Sequence, residues 1–345
     1  MQIKVRESIN ALKPYNVGGR ANLSQDWECF DWNESEFPPS NKVFEVMKTF
    51  YRYERYPDIT ASKLKDELSK YVDLPHEFIE VYNGSDDGLK DIFTAFVDRE
   101  TQVISYAPSY TQVDTFISVN TDNYEKVQII DPLGEHLWDF IPCMTADVVY
   151  LVNPNNPTGK LIPIEEIEEL VDTNPSTLFV VDEAYYEFAG QSCSHLVISH
   201  KNLIVTRTFS KAFGLAAARL GYVMAHPDLL FHLRKIKNGK TVNALAQLCG
   251  IACLNDLDYL NARIEEMNDA KKFFVDNLPP QYTAVDSAAN FVLVKTPDSK
   301  KVLQKMRENK ILIRDRSSFT NLDNCVRITI GSKKQIIRVL DVINF

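Results

Sequence analysis

The sequence predicts an α/β protein with two parts. The first is a large domain of three αβα layers around a mainly parallel mixed sheet, and the second is a smaller α+β domain. Through the first two thirds, short apolar runs rich in β-branched residues alternate with helical patterns. Such runs are typical of strands in a parallel sheet that is covered on both faces. In the last third the strands and helices follow one another differently, which indicates a separate α+β unit.

Six strands and the helices between them define the predicted large domain. The strands are Ile79–Tyr82, Gln102–Ser105, Asp147–Val152, Leu178–Val181, Leu203–Thr206 and Leu220–Ala225. Ser40 is placed to cap a helix with one apolar stripe, formed by Val43, Val46, Met47 and Phe50. Pro163 opens another helix that has acidic residues in its first turn. The order of strand, helix and strand predicts parallel pairing.

The last third predicts three helices and three strands. These are Asp256–Asp276, Asn290–Val294, Lys300–Asn309, Ile311–Asp315, Cys325–Ile330 and Lys334–Ile343. No flexible linker separates the parts, so we predict an N-terminal arm with a small-domain segment over 1–39, a large domain over 40–245 and a small domain over 246–345. A cleft between two such lobes is the expected ligand site.

Composition narrows the class of protein. The 345 residues contain 38 Lys+Arg and 47 Asp+Glu, for a net charge of −9, which argues against nonspecific binding to nucleic acid. No apolar stretch approaches the ~20 residues of a membrane helix, and the N-terminus has no apolar signal core. Six scattered cysteines without a CxxC pair indicate free thiols in a reducing compartment. We therefore expect a cytoplasmic protein that binds neither metal, membrane nor nucleic acid.

The most informative stretch is Arg207–Arg219 (RTFSKAFGLAAAR), which directly follows an apolar strand. Desolvation at a strand end lowers the pKa of a lysine such as Lys211 and favours the neutral amine, which can form a Schiff base. The hydroxyls of Thr208 and Ser210 and the guanidinium of Arg219 are suitable donors for a phosphate dianion. The stretch is equally typical of a strand–turn–helix unit whose polar residues are solvated.

Two further stretches place polar side chains just after strands. Asp182 follows the run LFVV, at the sheet edge where open α/β sheets bind ligands. A carboxylate buried there needs a cation, and a protonated pyridine nitrogen is suitable. Asn156 lies in the turn NPNNPTG, where a fixed amide can donate to a phenolate oxygen. Taken alone, Asp182 is more typical of a helix cap and Asn156 of an ordinary turn.

A glycine turn and a tyrosine complete the set of candidate residues. Gly84 lets the backbone approach a ligand, and the N–H groups of Ser85 and Asp86 begin a predicted helix, which makes an anion site. Tyr110 follows the strand that ends at Ser105 and can stack on a planar cofactor. Alone, the first pattern is also typical of plain helix capping and the second of a core tyrosine.

These five stretches, in this order and spacing, resemble a fold-type-I aminotransferase of class I/II, a pyridoxal-phosphate enzyme, and most of all the histidinol-phosphate aminotransferase family. Further motifs of that family cover nearly the whole chain: Leu12-x-Pro14-Tyr15, Asn33-Glu34, Arg55-Tyr56-Pro57-Asp58, Ser287-x-Ala289-Asn290-Phe291, Ile313-Arg314-Asp315 and Cys325-Val-Arg327-Ile-Thr-Ile-Gly331. The resemblance implies the PLP-dependent transferase fold of type I, pyridoxal 5′-phosphate as cofactor, and transamination.

The resemblance also implies roles for the residues that match. Lys211 would form the Schiff base and act as the acid/base, and Asp182 would keep the pyridine nitrogen protonated. Tyr185 and Asn156 would bond the 3′-oxygen, and Tyr110 would stack on the ring. The cofactor phosphate would be bound by Gly84, Ser85, Asp86, Thr208, Ser210 and Arg219.

Other roles implied by the resemblance involve the partner subunit and the substrate. Tyr56 would reach the cofactor phosphate of the partner subunit, which implies an obligate homodimer with shared active sites. Arg327 would bind the carboxylate of glutamate or the anionic group of the other substrate. Tyr15, Asn33 and Arg314 would line the substrate pocket.

Two segments depart from the pattern of the histidinol-phosphate enzymes. The family's Pro-aromatic-Asn turn is replaced by the stretch 237–243 (KNGKTVN), and Asn33-Glu34 is followed by SEFPPS. Both segments face the substrate in the family, so the departures weaken the expectation of an imidazole substrate and leave the cofactor chemistry untouched. Lys240 would add a cation for a small phosphorylated substrate, although a solvated loop lysine is the interpretation that we prefer.

Three functions are therefore compared. The first is amino transfer between glutamate or 2-oxoglutarate and a small phosphorylated amine or ketone, either histidinol phosphate or a three-carbon amino-alcohol phosphate. The second is PLP-dependent decarboxylation of an O-phospho amino acid on the same scaffold. The third is a non-catalytic protein that keeps the fold, and the full set of cofactor residues argues against it.

Overall fold

Two β-sheets organise the chain in the computed structural model, which describes residues 3–14, 20, 23–24, 26–134 and 146–344. The strands are β1 (Glu28–Phe30), β2 (Ile79–Tyr82), β3 (Val103–Ala107), β4 (Tyr124–Gln128), β5 (Val148–Val152), β6 (Leu178–Asp182), β7 (Leu203–Thr208), β8 (Gly221–Ala225), β9 (Thr283–Ala284), β10 (Phe291–Lys295), β11 (Ile311–Asp315) and β12 (Cys325–Thr329). The helices are α1 (Glu7–Asn10), α2 (Asn41–Thr49), α3 (Ser62–Val72), α4 (Ser85–Phe96), α5 (Gln112–Ser118), α6 (Ile164–Thr173), α7 (Tyr186–Ala189), α8 (Pro227–Ile236), α9 (Ala244–Leu254), α10 (Leu257–Asp276), α11 (Ser299–Glu308) and α12 (Lys333–Asn344).

The larger sheet has seven strands in the order β2-β8-β7-β6-β5-β3-β4. Strands β3 to β7 pair in parallel, whereas β8 is antiparallel to both of its neighbours. All six strands predicted for the large domain lie in this sheet. The edge strand β4 was not predicted, because its sequence YEKVQ is mostly polar and half exposed.

Apolar side chains cover both faces of the larger sheet. On one face, α2, α3, α6 and α9 pack through residues that include Val43, Leu64 and Ile167. On the other face, α4, α5 and α8 pack through residues that include Phe93 and Leu230. A sheet buried on both sides requires strands that are apolar throughout, and β5 and β8 are buried at every position. The predicted three-layer α/β class with a mainly parallel mixed sheet is confirmed.

The smaller sheet has five strands in the order β1-β11-β12-β10-β9. The N-terminal strand β1 pairs in parallel with β11, and the other pairs are antiparallel. Helices α10, α11 and α12 pack on it around Met267, Met306 and Ile336. Helix α9 instead packs with the core of the larger sheet, through Ala246 and Cys249. The domain boundaries at 39/40 and 245/246 stay a prediction.

Helix α2 begins as predicted, because the Ser40 side chain accepts a hydrogen bond from the Lys42 N–H. Its apolar stripe is only partly covered: Val43 is buried, whereas Met47 is 45% exposed. Among the described residues, five cysteines are free thiols, and Cys143 lies outside them. Within the same part of the chain, no helix is both long and apolar enough to cross a membrane.

Candidate active site

The carboxyl ends of five strands meet at one edge of the larger sheet. Strands β3, β5, β6 and β7 run parallel, and β2 shares their direction because both β2 and β7 are antiparallel to β8. Asp182 is the last residue of β6, and the loops that leave the other ends carry Gly84, Tyr110, Asn156 and Lys211. Residues up to about 130 positions apart in the sequence are thereby brought to the same edge.

A cavity of about 560 Å³ opens at this edge, between the two sheets. The predicted residues that line it are Asn33, Ser85, Asp86, Tyr110, Asn156, Asp182, Tyr185, Thr208, Ser210, Lys211, Arg219, Arg314 and Arg327. Gly84 lies behind Arg219, within contact distance of its guanidinium. Tyr56 is not among the lining residues and is 77% exposed. Tyr15 lies outside the described residues.

Lys211 points into the cavity from the turn after β7. Its Nζ donates to the backbone oxygen of Trp32 at 3.0 Å and lies 5.9 Å from the centre of the Tyr185 ring. Burial, and then the charge of Arg327, lower the pKa of Lys211 to about 8. About a tenth of the amine is therefore neutral at pH 7, far more than for an ordinary lysine, and the neutral amine is the form that attacks a carbonyl carbon.

Asp182 ends β6 and is 3% exposed. Its carboxylate accepts hydrogen bonds from the hydroxyls of Tyr150 and Thr206, each at 3.0 Å. Burial raises the pKa of Asp182 to about 6, and the two hydroxyls oppose that rise only partly. The carboxylate thus lacks a cationic partner among the described residues that hydrogen-bond it, and a protonated ring nitrogen would supply one.

Tyr185 and Asn156 contact each other near the carboxyl ends of the strands. The Tyr185 hydroxyl accepts from Asn33 Nδ2 at 2.9 Å and from Asn156 Nδ2 at 3.4 Å. Its ring packs edge-on against Phe291 of the smaller sheet, with centroids 5.1 Å apart. Arg327 Nη1 donates to Asn156 Oδ1 at 2.5 Å. One polar network therefore joins the two sheets across the cavity.

Hydroxyls and a guanidinium form the other end of the cavity. Thr208 Oγ1 donates to Ser210 Oγ at 3.0 Å, and Arg219 Nη1 donates to the same oxygen at 3.4 Å. Helix α4 begins at Ser85, so its first N–H groups have no acceptor within the helix. Together these donors make a site for a phosphate group.

Gly84 lets this end close around its ligand. Its φ is +86°, and a Cβ there would lie 2.6 Å from Arg219 Nη2, so both backbone conformation and space require glycine. Nearby, the Tyr110 hydroxyl donates to Asp86 Oδ1 at 2.9 Å, while the tyrosine ring lines the cavity.

Several lining residues were missed by sequence reasoning. They include Trp32, whose carbonyl accepts from Lys211, and Arg316, which stands two residues after Arg314. Thr206 does not line the cavity but was missed as well; it is in register with Asp182 on the neighbouring parallel strand and donates to its carboxylate. The period-2 alternation of a strand could have indicated Arg316, because it places Arg314 and Arg316 on one face. Thr206 could not be assigned to the site from the sequence, because its position beside Asp182 depends on the order of the strands in the sheet.

The sequence profile of the family described as "Aminotransferase class I and II" matches residues 26–343. The chain belongs to the class I and II aminotransferases. This aminotransferase is 35% identical over 328 residues to the dihydroxyacetone phosphate transaminase of Campylobacter jejuni, covering 91% of this chain and 88% of that protein.

Two solved structures share the fold of this aminotransferase. The histidinol-phosphate aminotransferase of Sinorhizobium meliloti in complex with pyridoxal-5′-phosphate superposes with a TM-score of 0.83 and 25% identity, over 92% of this chain and 91% of that one. The L-threonine-O-3-phosphate decarboxylase of Porphyromonas gingivalis gives a TM-score of 0.77 at 23% identity, over 92% and 98%. The fold is therefore that of the type-I PLP-dependent transferases.

The aminotransferase uses pyridoxal 5′-phosphate, and the cavity fits that group. The buried carboxylate of Asp182 is matched to a pyridinium nitrogen, and Tyr185 with Asn156 to a ring oxygen. The hydroxyl and guanidinium donors at the Arg219 end, beside which Gly84 leaves room, suit the phosphate. When bound, the cofactor supplies an electron sink for the negative charge that develops when a bond at the substrate Cα breaks.

Proposed function

We propose that this PLP-dependent transaminase moves an amino group between glutamate or 2-oxoglutarate and a small phosphorylated ketone or amine with a three-carbon backbone. The observation that carries the proposal is the relative named as a dihydroxyacetone phosphate transaminase, which matches 91% of this chain. The cavity supports it, because donors for an anion lie on β11 and β12, away from the hydroxyls and guanidinium of the Arg219 end.

In the proposed site, Lys211 would hold the cofactor and would carry the transferred proton at its Nζ. A pKa lowered to about 8 suits both roles, because the amine can gain and lose a proton near neutral pH. Asp182 holds a proton on the ring nitrogen, since its carboxylate has only neutral donors of its own. Tyr185 and Asn156, which bond each other, would hold the cofactor through its ring oxygen, and the lining residue Tyr110 would stack on its ring.

At the proposed substrate end, Arg327 fixes the anionic group of the incoming molecule. Its guanidinium is already oriented by Asn156 and by the backbone oxygen of Asp31. Asn33 has a positive φ of 54°, and its side chain bonds the Tyr185 hydroxyl. Arg314, which pairs with Arg327 across the sheet, lines the same wall. The wall therefore selects substrates that carry an anion.

We also propose that two chains form a homodimer with shared active sites. The segment 44–59 exposes large apolar side chains: Phe44, Met47, Tyr51, Tyr53, Tyr56 and Ile59 are 44–77% exposed. A concentration of exposed aromatic residues of this kind is typical of an interface. Tyr56, with Lys240 Nζ 4.3 Å from its ring centre, would then face the partner's site. Lys240 itself does not line the cavity of its own chain.

The experiment measures amino transfer from glutamate to dihydroxyacetone phosphate by following 2-oxoglutarate. Matched acceptors are unphosphorylated dihydroxyacetone and the imidazole-bearing oxo form of histidinol phosphate. We expect the kcat/KM for dihydroxyacetone phosphate to exceed that for dihydroxyacetone by about tenfold or more, since one charge-assisted anion contact contributes that factor. It should also exceed the kcat/KM for the imidazole-bearing acceptor, which has the phosphate but a larger carbon skeleton. Equal rates with dihydroxyacetone and its phosphate would overturn the proposed substrate class.

Decarboxylation is the other outcome that the experiment can reveal. O-Phosphothreonine is offered without an oxo acid, and released CO2 is measured. The likeness to the Porphyromonas gingivalis decarboxylase is below 25% identity and reports on the fold alone. Release of CO2 at the rate of normal turnover, without amino transfer from glutamate, would replace transamination by decarboxylation as the reaction.

A further inference from the structure

Three arginines lie on one face of the pair β11 and β12. The antiparallel register places Arg314 directly opposite Arg327. The pairing continues past the end of β11, because the Arg316 N–H donates to the Cys325 oxygen at 2.9 Å. Side chains two apart on a strand share a face, so Arg316 follows Arg314 on the face that carries Arg327. All three line the large cavity.

Like charges that face each other across two strands are destabilising. The nearby carboxylates relieve them only in part. Asp31 and Glu34 pair with Arg20, at 2.6 and 2.5 Å, and Asp315, which favours the charged form of Arg316, accepts hydrogen bonds from Ser317. Within the described residues, the Arg314 and Arg316 guanidiniums have no ion pair with a carboxylate. A concentration of positive charge thus faces the cavity of a chain whose net charge is −9.

Arg316 is the most poorly compensated of the group. Its Nε is buried and has no hydrogen-bond acceptor in the described part of the chain. Its guanidinium lies 5.4 Å from the centre of the Phe319 ring, which offers a weak contact only. Burial, with the charges of Arg327 and Arg314, lowers the pKa of Arg316 well below its usual value. A half-buried guanidinium with a buried, unpaired Nε and two cationic neighbours favours an anionic ligand.

We infer that Arg316, together with Arg314 and Arg327, binds the phosphate dianion of the substrate, and that Arg316 sets the preference for phosphorylated substrates over glutamate. This inference rests on the proposed function. A carboxylate carries one charge, and a single guanidinium can hold both of its oxygens. A phosphate dianion has three terminal oxygens and two charges, so it uses additional guanidinium groups.

The proposed site is separate from the cofactor-phosphate end of the cavity. That end is formed by Ser85, Thr208, Ser210 and Arg219, on α4, β7 and the turn before β8. Arg316 instead directly follows β11 of the smaller sheet and pairs with β12 through its N–H, whereas those donors come from the larger sheet and its loops. In the holoenzyme the first site is filled by the cofactor, so an added phosphate ester reports on the second.

The experiment titrates the holoenzyme with two unreactive probes by calorimetry. sn-Glycerol 3-phosphate carries the phosphate on three carbons, and glutarate carries the two carboxylates of glutamate without its amine. The variants are Arg316→Gln and Arg316→Lys, and the matched control is Arg307→Gln, which changes an exposed arginine on α11. KM values for dihydroxyacetone phosphate and glutamate are measured alongside.

We expect Arg316→Gln to weaken glycerol phosphate binding by about tenfold or more, while glutarate binding changes by less than about twofold. The KM for the phosphorylated ketone should rise in parallel. The affinity of Arg316→Lys for glycerol phosphate should lie between those of the wild type and Arg316→Gln, because a lysine keeps the charge but lacks the bidentate guanidinium geometry. The Arg307→Gln control should match the wild type. Circular dichroism confirms that each variant is folded.

Three results would overturn the inference in distinguishable ways. If the wild type binds glycerol phosphate and Arg316→Gln binds both probes equally well, Arg316 has no such role while the proposed function stands. If the wild type itself neither binds glycerol phosphate nor uses dihydroxyacetone phosphate, the proposed function and the inference both fail. Equal weakening of the two probes would identify a general structural effect instead of selection for phosphate.

Discussion

Burial shifts the pKa values of Lys211 and Asp182 toward neutrality from opposite sides. The pKa of Lys211 falls to about 8 and that of Asp182 rises to about 6. In both cases desolvation is the largest cause. Each group is costly to keep charged without a counterion, and one ligand that brings a protonated nitrogen and an electrophilic carbon would satisfy both. Perturbed groups that converge in a cleft are typical of an active site.

Gly84 shows how a single missing Cβ shapes the phosphate end. We predict that Gly84→Ala weakens cofactor binding by about tenfold or more, because the new methyl group would displace the Arg219 guanidinium, 2.6 Å away. Fluorescence titration of the apoenzyme with the cofactor measures the effect.

The matched control for this prediction is Gly190→Ala. Gly190 also has a positive φ, of 70°, but nothing lies within 4 Å of its Cβ position. This variant should lose about 1 kcal/mol of stability from backbone strain and bind the cofactor like the wild type. Equal losses of affinity in the two variants would mean that strain, and not contact with Arg219, explains the requirement for glycine.

At the scale of elements, Glu80 ties the edge strand β2 to two helices. It pairs with Lys65 of α3 at 2.9 Å, with Arg234 of α8 at 2.7 Å, and with Lys237. Burial opposes ionisation, but Lys237 and Lys65 prevail and lower the pKa of Glu80 to about 2. Burial lowers the pKa of Lys65 even beside this carboxylate, so we attribute much of the compensation to the two cations of the α8 end.

We predict that Glu80→Gln lowers the free energy of unfolding by about 3 kcal/mol at pH 7, because it leaves buried cations unpaired. The folded-state pKa of about 2 is below the unfolded value. The carboxylate therefore stabilises fully above about pH 4.3, and this stabilisation is lost as the pH falls toward 2.

Urea unfolding at several pH values measures this contribution. The gap between wild type and Glu80→Gln should be constant from pH 7 to 5 and narrow below about pH 4.3. Asp276→Asn, which breaks an exposed pair with Lys272, is the control and should leave the unfolding curve unchanged. A gap that widens in acid would contradict the assignment.

The sequence predicted those strands and site residues that have a strong local pattern of their own. Apolar β-branched runs located the central strands, because strands buried on both faces must be apolar. The polar edge strand β4 and the two-residue strand β9 carry no such pattern, since pairing with a neighbour creates them. Motifs after strands identified most cavity residues, whereas Trp32 enters through a backbone carbonyl that no side-chain pattern reports.

At the scale of the whole molecule, the active-site cavity depends on both sheets. The larger sheet supplies the lysine, the buried carboxylate and the phosphate donors, and the smaller sheet supplies the arginines. Arg327 donates to Asn156 across the gap, and Asn33 Nδ2 donates to the Tyr185 hydroxyl at 2.9 Å. Neither sheet alone would provide both the phosphate donors of the Arg219 end and the arginines of β11 and β12.

The proposed homodimer leads to a complementation prediction. We expect Tyr56→Ala and Lys211→Ala each to give nearly inactive dimers. When the two variants are mixed and allowed to exchange subunits, hybrid dimers regain one intact site, so activity should recover to about a quarter of wild type. Mixing each variant with itself is the control. No recovery, with subunit exchange shown by mass spectrometry, would place Tyr56 outside the partner's site.

The central claim is that Lys211 is the residue that holds the cofactor. Reduction of the holoenzyme with borohydride fixes the cofactor to its lysine, and peptide mass spectrometry then locates the added mass. The account predicts modification of Lys211 alone, the amine that lines the cavity with a pKa lowered to about 8. A cofactor mass on Lys271, the other lysine with a pKa lowered to about 8, or on exposed Lys240, with Lys211 unmodified, would contradict it.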